Sequence, residues 1–171
     1  MDAEEIRGWF AGRLPDGWFT EAPEVTVDRE EIQVVGRLAP PEGDLSAAER
    51  SAAEESRIAG FREDTREQRM RIAREAQHRF RRKVSWGAET GDTRDLFTTL
   101  ALPVMTRLRM SDRDVLDTLV ESGVARSRSH ALAWCVKLVG EKQAEWISEL
   151  REALADVERV RAQGPGQANV V

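Results

Sequence analysis

The sequence lacks several features that would place it in a familiar class of protein. Its 171 residues include one cysteine, so a disulfide within the chain is excluded, and they include no tyrosine. The longest apolar runs are six residues, far short of the roughly 20 that cross a bilayer. The acidic first five residues lack the basic start of a secretory signal. These absences predict a cytoplasmic protein with no membrane span.

The residues that usually carry metal or cofactor chemistry are also scarce. The two histidines, His78 and His130, and the single Cys135 are too few and too poorly spaced for a zinc site. No Gly-x-Gly-x-x-Gly or phosphate-loop pattern occurs. Acidic residues are numerous, but none form a pair that stands out as catalytic. We therefore expect no metal, no cofactor and no enzymatic activity.

Charge is abundant and unevenly distributed along the chain. Charged residues make up 33% of the sequence and the formal net charge is −5. Residues 1–44 have a net charge of −7, residues 45–83 a net charge of +4, and residues 84–171 a net charge of −2. The basic excess is concentrated in residues 66–83, where eight Arg and Lys face two Glu. This local excess points to an anionic partner that binds at a confined patch.

Hydrophobic periodicity and breaker residues predict an α+β fold that is mainly helical. The predicted elements are an N-terminal helix (3–13), a β-hairpin (24–27 with 32–38), a long central basic helix (46–83), a second short hairpin (84–87 with 95–100), and a C-terminal strand-helix-helix region with a final long helix. We divide the chain into an acidic helix and hairpin (1–44), the long helix and second hairpin (45–100), the C-terminal region (101–161) and a flexible tail (162–171).

The basic end of the central helix has three interpretations. It is a solvated face crossed by ion pairs between neighbouring turns, or it binds a nucleic-acid backbone, or it docks on the acidic N-terminal segment of the same chain or of a partner. The second interpretation rests on the nearby Trp86, because an aromatic residue beside a basic cluster is typical of single-strand binding. Its candidate contact residues are Arg79, Arg81, Arg82 and Lys83.

Residues 104–139 contain one predicted strand and two predicted helices, and their order is informative. Residues 104–110 alternate in polarity and predict a half-buried strand whose outer face carries Arg107 and Arg109. Ser111 then caps a predicted helix that Gly123 ends. A second amphipathic helix follows, capped by Ser127 or Ser129.

This order of strand, capped helix, Gly turn and second helix resembles the ribbon-helix-helix family of the Arc and MetJ type. The resemblance implies a homodimer whose paired strands enter the DNA major groove, while the start of the second helix holds a phosphate. By position it implies outward ribbon residues and phosphate-binding residues, which are Met105, Arg107, Arg109, Ser127, Arg128 and Ser129. The strand has a second possible partner, which is the neighbouring run at residues 95–100.

The last helix carries an apolar stripe with spacings of three and four residues. The stripe contains Trp146, Leu150, Ala153, Val157 and Val160. Two heptads are too few to predict a coiled coil, and the stripe favours packing against the N-terminal part of the same chain, with dimerisation or docking of a partner as the alternative.

Taken together, the residues predict a small DNA-binding regulatory protein that forms a homodimer, with DNA preferred to RNA. The alternative is a non-enzymatic adaptor whose helices dock another protein. We expect no binding to membranes, because the apolar stripe of the basic helix is too thin to insert.

Overall fold

The computed structural model describes residues 3–164 and divides the chain into two units, Met1–Pro103 and Val104–Val171. The first unit contains α1 (Ala3–Arg13), β1 (Glu24–Val27), β2 (Glu31–Arg37), α2 (Ala47–Asp64), α3 (Arg66–Phe80), β3 (Lys83–Thr90) and β4 (Thr93–Leu96). The second contains α4 (Met110–Glu121), α5 (Arg128–Lys142) and α6 (Ala144–Gln163). Within the described part of the chain, no helix combines the length and the apolar content that a membrane crossing requires. The expected mainly helical α+β fold is confirmed.

The four strands form one sheet in the order β1-β2-β3-β4. The outer pairs are antiparallel hairpins, whereas β2 and β3 are parallel and are joined by α2 and α3. A crossover through helices is what parallel neighbours require. Segments 1–44 and 45–100 therefore contribute strands to the same sheet.

The core of the first unit lies between one face of the sheet and the helices. Strand alternation places Val34 and Trp86 opposite each other on this face. Ile6 and Phe10 from α1 and Ile72 from α3 are fully buried in the same cluster. The opposite face of the sheet is mainly polar, with Val35 and Leu96 as its apolar residues, because side chains alternate between the two faces along each strand.

Several predicted elements of the first unit are confirmed. The N-terminal helix spans Ala3–Arg13, and the first hairpin pairs Glu24–Val27 with Glu31–Arg37. A second hairpin is also present, but its strands are Lys83–Thr90 and Thr93–Leu96. The prediction assigned residues 87–94 to a turn, whereas the chain reverses at Gly91, which has a positive φ of 55°.

The single long central helix is a wrong prediction, because the chain breaks at Thr65 into α2 and α3. Thr65 has φ −97° and ψ 1°, outside the helical region. Its hydroxyl donates to the carbonyl of Phe61 at 2.5 Å and accepts from Nε of Arg69 at 2.9 Å. Thr65 and Arg69, the two polar residues on the apolar side of this segment, are thus hydrogen-bonded to each other at the junction. The start of α2 is a capping box formed by Ser46 and Glu49.

The second unit has a small core formed by Leu116, Ala125 and Ala131. Gly123 follows α4 with a φ of 79°, as predicted for a helix-ending glycine. Ser127 caps α5, since its hydroxyl accepts from the N–H of His130 at 3.2 Å.

The predicted strand at residues 104–110 is wrong, and so is its role as a ribbon. Residues 101–109 have no regular secondary structure, and α4 already begins at Met110, before the predicted cap Ser111. A strand needs a neighbour for its backbone hydrogen bonds, and no strand of the described residues 3–164 pairs with this segment. The predicted tail 162–171 is helical up to Gln163, and the part of it beyond Gly164 lies outside the described residues.

Candidate functional site

The basic segment of the first unit lies on α3 and in the short link to β3. Ile72, Ala76 and Phe80 are buried against the sheet. Because residues three and four apart share a helix face, the remaining positions point away from the core. This geometry separates the eight basic residues of the segment into groups with different environments.

Arg69 is a structural arginine. It is 6% exposed, and besides its bond to Thr65 it donates through Nη2 to the carbonyl of Arg62 at 2.5 Å. Its guanidinium lies 4.8 Å from the ring centroid of Phe97. Burial is the main cause that lowers the pKa of Arg69, and the nearby Arg62 and Arg66 lower it further. Arg69 is therefore excluded as a ligand-binding residue.

Two ion pairs connect α3 with the acidic N-terminal helix. Arg79 binds Glu5 at 3.2 Å. Arg13 forms a bidentate pair with Glu75, at 2.6 and 2.7 Å. This pairing raises the pKa of Arg13 and lowers that of Glu75. One predicted contact residue, Arg79, is thus engaged with the acidic segment.

Within residues 66–83, four arginines are exposed and form no ion pair with the described part of the chain. They are Arg66, Arg71, Arg74 and Arg81, and we call them the α3 arginine face. At 1.5 Å per residue they extend over about 22 Å along one side of the helix. His78 lies on the same side, as does one acid, Glu67. The face therefore has an excess of three positive charges.

Arg81 has an unusual backbone conformation. Its φ of 58° is in the left-handed region, and it is the C-cap of α3, donating its N–H to the carbonyl of Gln77. Glycine or asparagine is usual at such a position, and another residue costs roughly 1–2 kcal/mol. The chain carries an arginine there despite this cost. No sequence signal identified this position as strained.

The other two predicted contacts at this end differ in exposure. Lys83 is exposed at the start of β3. Arg82 is half-buried, and its Nε has no hydrogen-bond partner. The neighbouring Trp86, on which the nucleic-acid interpretation of this segment rested, is 3% exposed and packs against Phe10 in the core. Alternation along β3 turns Trp86 inward, so it presents no ring on which a base could stack.

The open face of the sheet offers no substitute for that stacking surface. Its central residues form a charge network in which Glu89 binds Arg37 at 2.6 Å and Arg94 at 3.3 Å. Arg94 also binds Glu24 at 3.0 Å. The guanidiniums are thus neutralised by carboxylates of the same sheet. The strand residues on this face include no aromatic side chain.

The predicted phosphate-binding residues of the second unit have other partners. Arg128 forms a bidentate pair with Asp117, both distances being 2.6 Å. These bonds lower the pKa of Asp117 and raise that of Arg128. The hydroxyl of Ser127 is used as the helix cap, whereas Ser129 is exposed. The structure therefore does not join these three residues into an anion site.

The predicted ribbon residues lie on the extended segment before α4. Met105 is 97% exposed and Arg107 is exposed beside it. Arg109 is the N-cap of α4, and its N–H donates to Asp112 at 3.2 Å. These residues do not form the paired ribbon that the resemblance implied.

The second unit has a different candidate surface, which is apolar. Trp134, Val136 and Val139 of α5 are exposed, and α6 buries no residue at all. Such stripes are normally covered. Across the described residues, no group of three or more His, Cys, Asp or Glu side chains could hold a metal ion.

Two family models match the chain, and each match falls within one structural unit. The model described as "Rv1265-like protein, N-terminal domain" matches residues 4–96, which is more than half of the chain. The model described as "Mb1296 C-terminal domain" matches residues 109–161.

This chain belongs to the Rv1265-like family.

Curated relatives confirm the assignment over nearly the whole length. "Uncharacterized protein Mb1296" of Mycobacterium bovis and "Uncharacterized protein Rv1265" of Mycobacterium tuberculosis are both 58% identical to the chain over 165 residues. The alignment covers 96% of this chain and 72% of each relative. No solved structure matches the chain.

Membership of the Rv1265-like family corrects the earlier resemblance. No ribbon-helix-helix family matches, and the C-terminal model begins only at residue 109. Met105 and Arg107 therefore lie outside both matched ranges. The order of helix, Gly turn and capped helix at residues 110–142 is real, but a helical pair that builds a local core has the same sequence pattern. That shared pattern is why the resemblance was misleading.

Proposed function

We propose that this member of the Rv1265-like family is a nucleic-acid-binding regulatory protein of the cytoplasm, and that the α3 arginine face contacts the phosphate backbone. The proposal includes no catalytic activity, and it takes duplex DNA as the preferred ligand and a homodimer as the working form. The observation that carries it is the state of the four arginines, which cluster on one helix, are exposed and form no ion pair within the described residues.

The spacing of these guanidiniums suits a phosphate backbone. The face extends over about 22 Å, and one strand of duplex DNA presents a phosphate every 3.4 Å of helix axis. Arginine binds phosphate through two parallel hydrogen bonds. Contacts of this kind position the protein without reading sequence. Regulation would then need a second determinant of specificity.

The contrast with the paired arginines of the first unit supports this choice of face, and clustering on one helix distinguishes it from scattered exposed arginines such as Arg7, Arg29 and Arg50. Arg13, Arg37, Arg79 and Arg94 all bind carboxylates of the same unit. An arginine already paired with a carboxylate loses that pair when it binds a phosphate, so its net gain is smaller. The unpaired arginines release only counterions and water.

The test is the affinity for duplex DNA of the variant Arg71→Ala/Arg74→Ala/Arg81→Ala. We expect weaker binding and a plot of log K against log salt that is less steep by about 2.7 for each bound copy, or about 5 for the dimer, because each lost phosphate contact changes the slope by about 0.9. Fluorescence anisotropy at about 50 to 300 mM salt measures this affinity, because counterion release dominates the salt dependence in that range.

A matched control keeps the charge change and moves its position. The variant Arg7→Ala/Arg29→Ala/Arg50→Ala also removes three exposed arginines of the first unit, from α1, the β1–β2 turn and α2. We expect it to retain the slope of the unmodified chain. Equal slopes for the two triple variants would contradict the assignment to α3.

A second candidate function is a non-enzymatic adaptor that docks another protein through its helices. It is favoured by the exposed apolar residues of α5 and α6, which include Val136 at 67% and Val160 at 60% exposure. Binding of no duplex or single strand at low salt, together with a stable complex with a different protein, would favour the adaptor.

A further inference from the structure

Helices α5 and α6 follow one another with a single non-helical residue between them. Gln143 has φ −121° and ψ 29°, yet its N–H donates to the carbonyl of Val139 at 2.9 Å. Its own carbonyl accepts from the N–H of Ile147 at 3.0 Å. Both bonds link residues four apart, as in an α-helix. The same two bonds flank the break at Thr65, so Gln143 is a break of the same kind, and α5 and α6 are joined end to end by this one residue.

The heptad spacing of the apolar residues nevertheless continues from α5 into α6. Positions three and four apart alternate from residue 136 to residue 160, a distance of about 36 Å along the two helices. We call these eight positions the α5–α6 seam, and they are Val136, Val139, Gln143, Trp146, Leu150, Ala153, Val157 and Val160. Seven of them are apolar. The seam covers about three and a half heptads, enough for a coiled coil, whereas α6 alone covers two.

The seam is exposed within the described residues. Trp146, Val157 and Val160 are 55%, 51% and 60% exposed, and no α6 residue is buried. With full residue areas on the order of 150–250 Å², the exposed seam leaves roughly 600 Å² of apolar residues in water. A standard interface buries about 800 Å² on each partner. The seam alone supplies most of that area.

The one polar seam residue indicates what covers the surface. Gln143 occupies an a position, and a single polar residue at such a position is a known determinant of register. In a parallel pair of identical helices, Gln143 faces the same amide of the second copy, and each amide can both donate and accept. In an antiparallel pair an a position faces a d position. Every d position of this seam is apolar, so the amide would be left buried without a partner.

The charges beside the seam agree with a parallel pair of this chain. In that arrangement a g residue of one helix faces the e residue five positions later on the other. Asp156 then faces Arg161, which is an attractive pair in both directions. Glu149 faces Leu154, and Lys142 faces Ile147. No like-charge pair arises at these positions.

We propose that the α5–α6 seam forms a parallel two-stranded coiled coil with a second copy of this chain. The inference specifies the homodimer of the proposed function. Its test measures mass and cross-linking without nucleic acid, so it fails or succeeds independently of the α3 arginine face. A heterologous partner or an antiparallel arrangement is a contrary outcome.

The first experiment is the molar mass of the full chain by light scattering. We expect twice the 19.3 kDa of one chain, and one chain mass for the variant Leu150→Asp/Val157→Asp. The control variant Val104→Asp/Met105→Asp introduces the same charges at exposed apolar residues outside the seam and should remain a dimer. A monomeric unmodified chain, or equal behaviour of the two variants, would overturn the proposal.

The second experiment tests the parallel arrangement with a substitution that keeps the dimer intact. In a Cys135→Ala background, Val160→Cys places a thiol at a d position, where two parallel copies face each other. Oxidation should link the chains covalently. Ser148→Cys, on the outer side of α6, is the matched control and should not link. Failure of the Val160→Cys dimer to cross-link would refute the parallel seam.

Discussion

Replacement of Arg69 tests most sharply whether residues 66–83 contain both a structural arginine and an exposed arginine face. Replacing it with alanine removes two hydrogen bonds, one to Thr65 and one to the carbonyl of Arg62, and the contact with the ring of Phe97. Hydrogen bonds from a charged donor contribute roughly 1.5–3 kcal/mol each, and a cation over an aromatic ring contributes about 0.5–2 kcal/mol.

Two effects offset part of that loss. Burial of the guanidinium has a desolvation cost, which is visible as a lowered pKa. Alanine is also the better helix former, by a few tenths of a kcal/mol. The expected net destabilisation of the first unit is therefore about 2–4 kcal/mol. Arg71→Ala, two residues away and exposed, should change stability by less than about 0.5 kcal/mol.

Urea unfolding, monitored by tryptophan fluorescence, measures this difference in stability between the two variants. In a Trp134→Phe/Trp146→Phe background the three remaining tryptophans all belong to the first unit, so the signal reports that unit alone. If Arg69→Ala and Arg71→Ala unfold at the same urea concentration, the distinction between a structural arginine and the α3 arginine face is refuted.

Two further predictions concern packing and pH. Gly36→Ala places a methyl group against the ring of Phe19. We expect displacement of this ring to lower the free energy of unfolding by about 1–3 kcal/mol, measured by urea unfolding. The control Gly8→Ala has open space around the new methyl group and should not destabilise the first unit. The pKa of Asp117 is lowered by hydrogen bonds from Arg128, so the pair stabilises the second unit at neutral pH, and this contribution is lost as the pH falls below about 4. Thermal unfolding at pH 7 and pH 3 should show a smaller pH effect for Asp117→Asn, and an unchanged pH effect would contradict the role of the pair.

The sequence predicted the local elements of the first unit because their signals are local. Alternation at Val25 and Val27 and at Ile32 and Val34 identified the first hairpin, and the capping residue Ser46 identified the start of α2. The parallel pairing of β2 with β3 depends on residues some 50 positions apart. No local pattern contains that information.

The candidate site was only partly predictable for the same reason. The basic excess of residues 66–83 was evident from composition, but its division into a buried Arg69, a paired Arg79 and an exposed face depends on how α3 lies on the sheet. Trp86 was misjudged because adjacency in sequence to basic residues does not reveal which side of a strand faces the core.

The α5–α6 seam illustrates the opposite case, in which the pattern was present but was divided. Gly140 and the polar Gln143 interrupt the apolar residues, so α5 and α6 read as separate amphipathic helices. The hydrogen bonds on both sides of Gln143 hold the two helices end to end, and the heptad spacing is kept across the break between them. Only then do the two short stripes become one seam.

The central claim is that the α3 arginine face binds a phosphate backbone, and the salt dependence of duplex affinity for the unmodified chain tests it most directly. With four phosphate contacts per copy, the account predicts that log K falls with log salt with a slope of magnitude about 3 or more. A duplex affinity that does not change with salt, or no binding at about 50 mM salt, would contradict it.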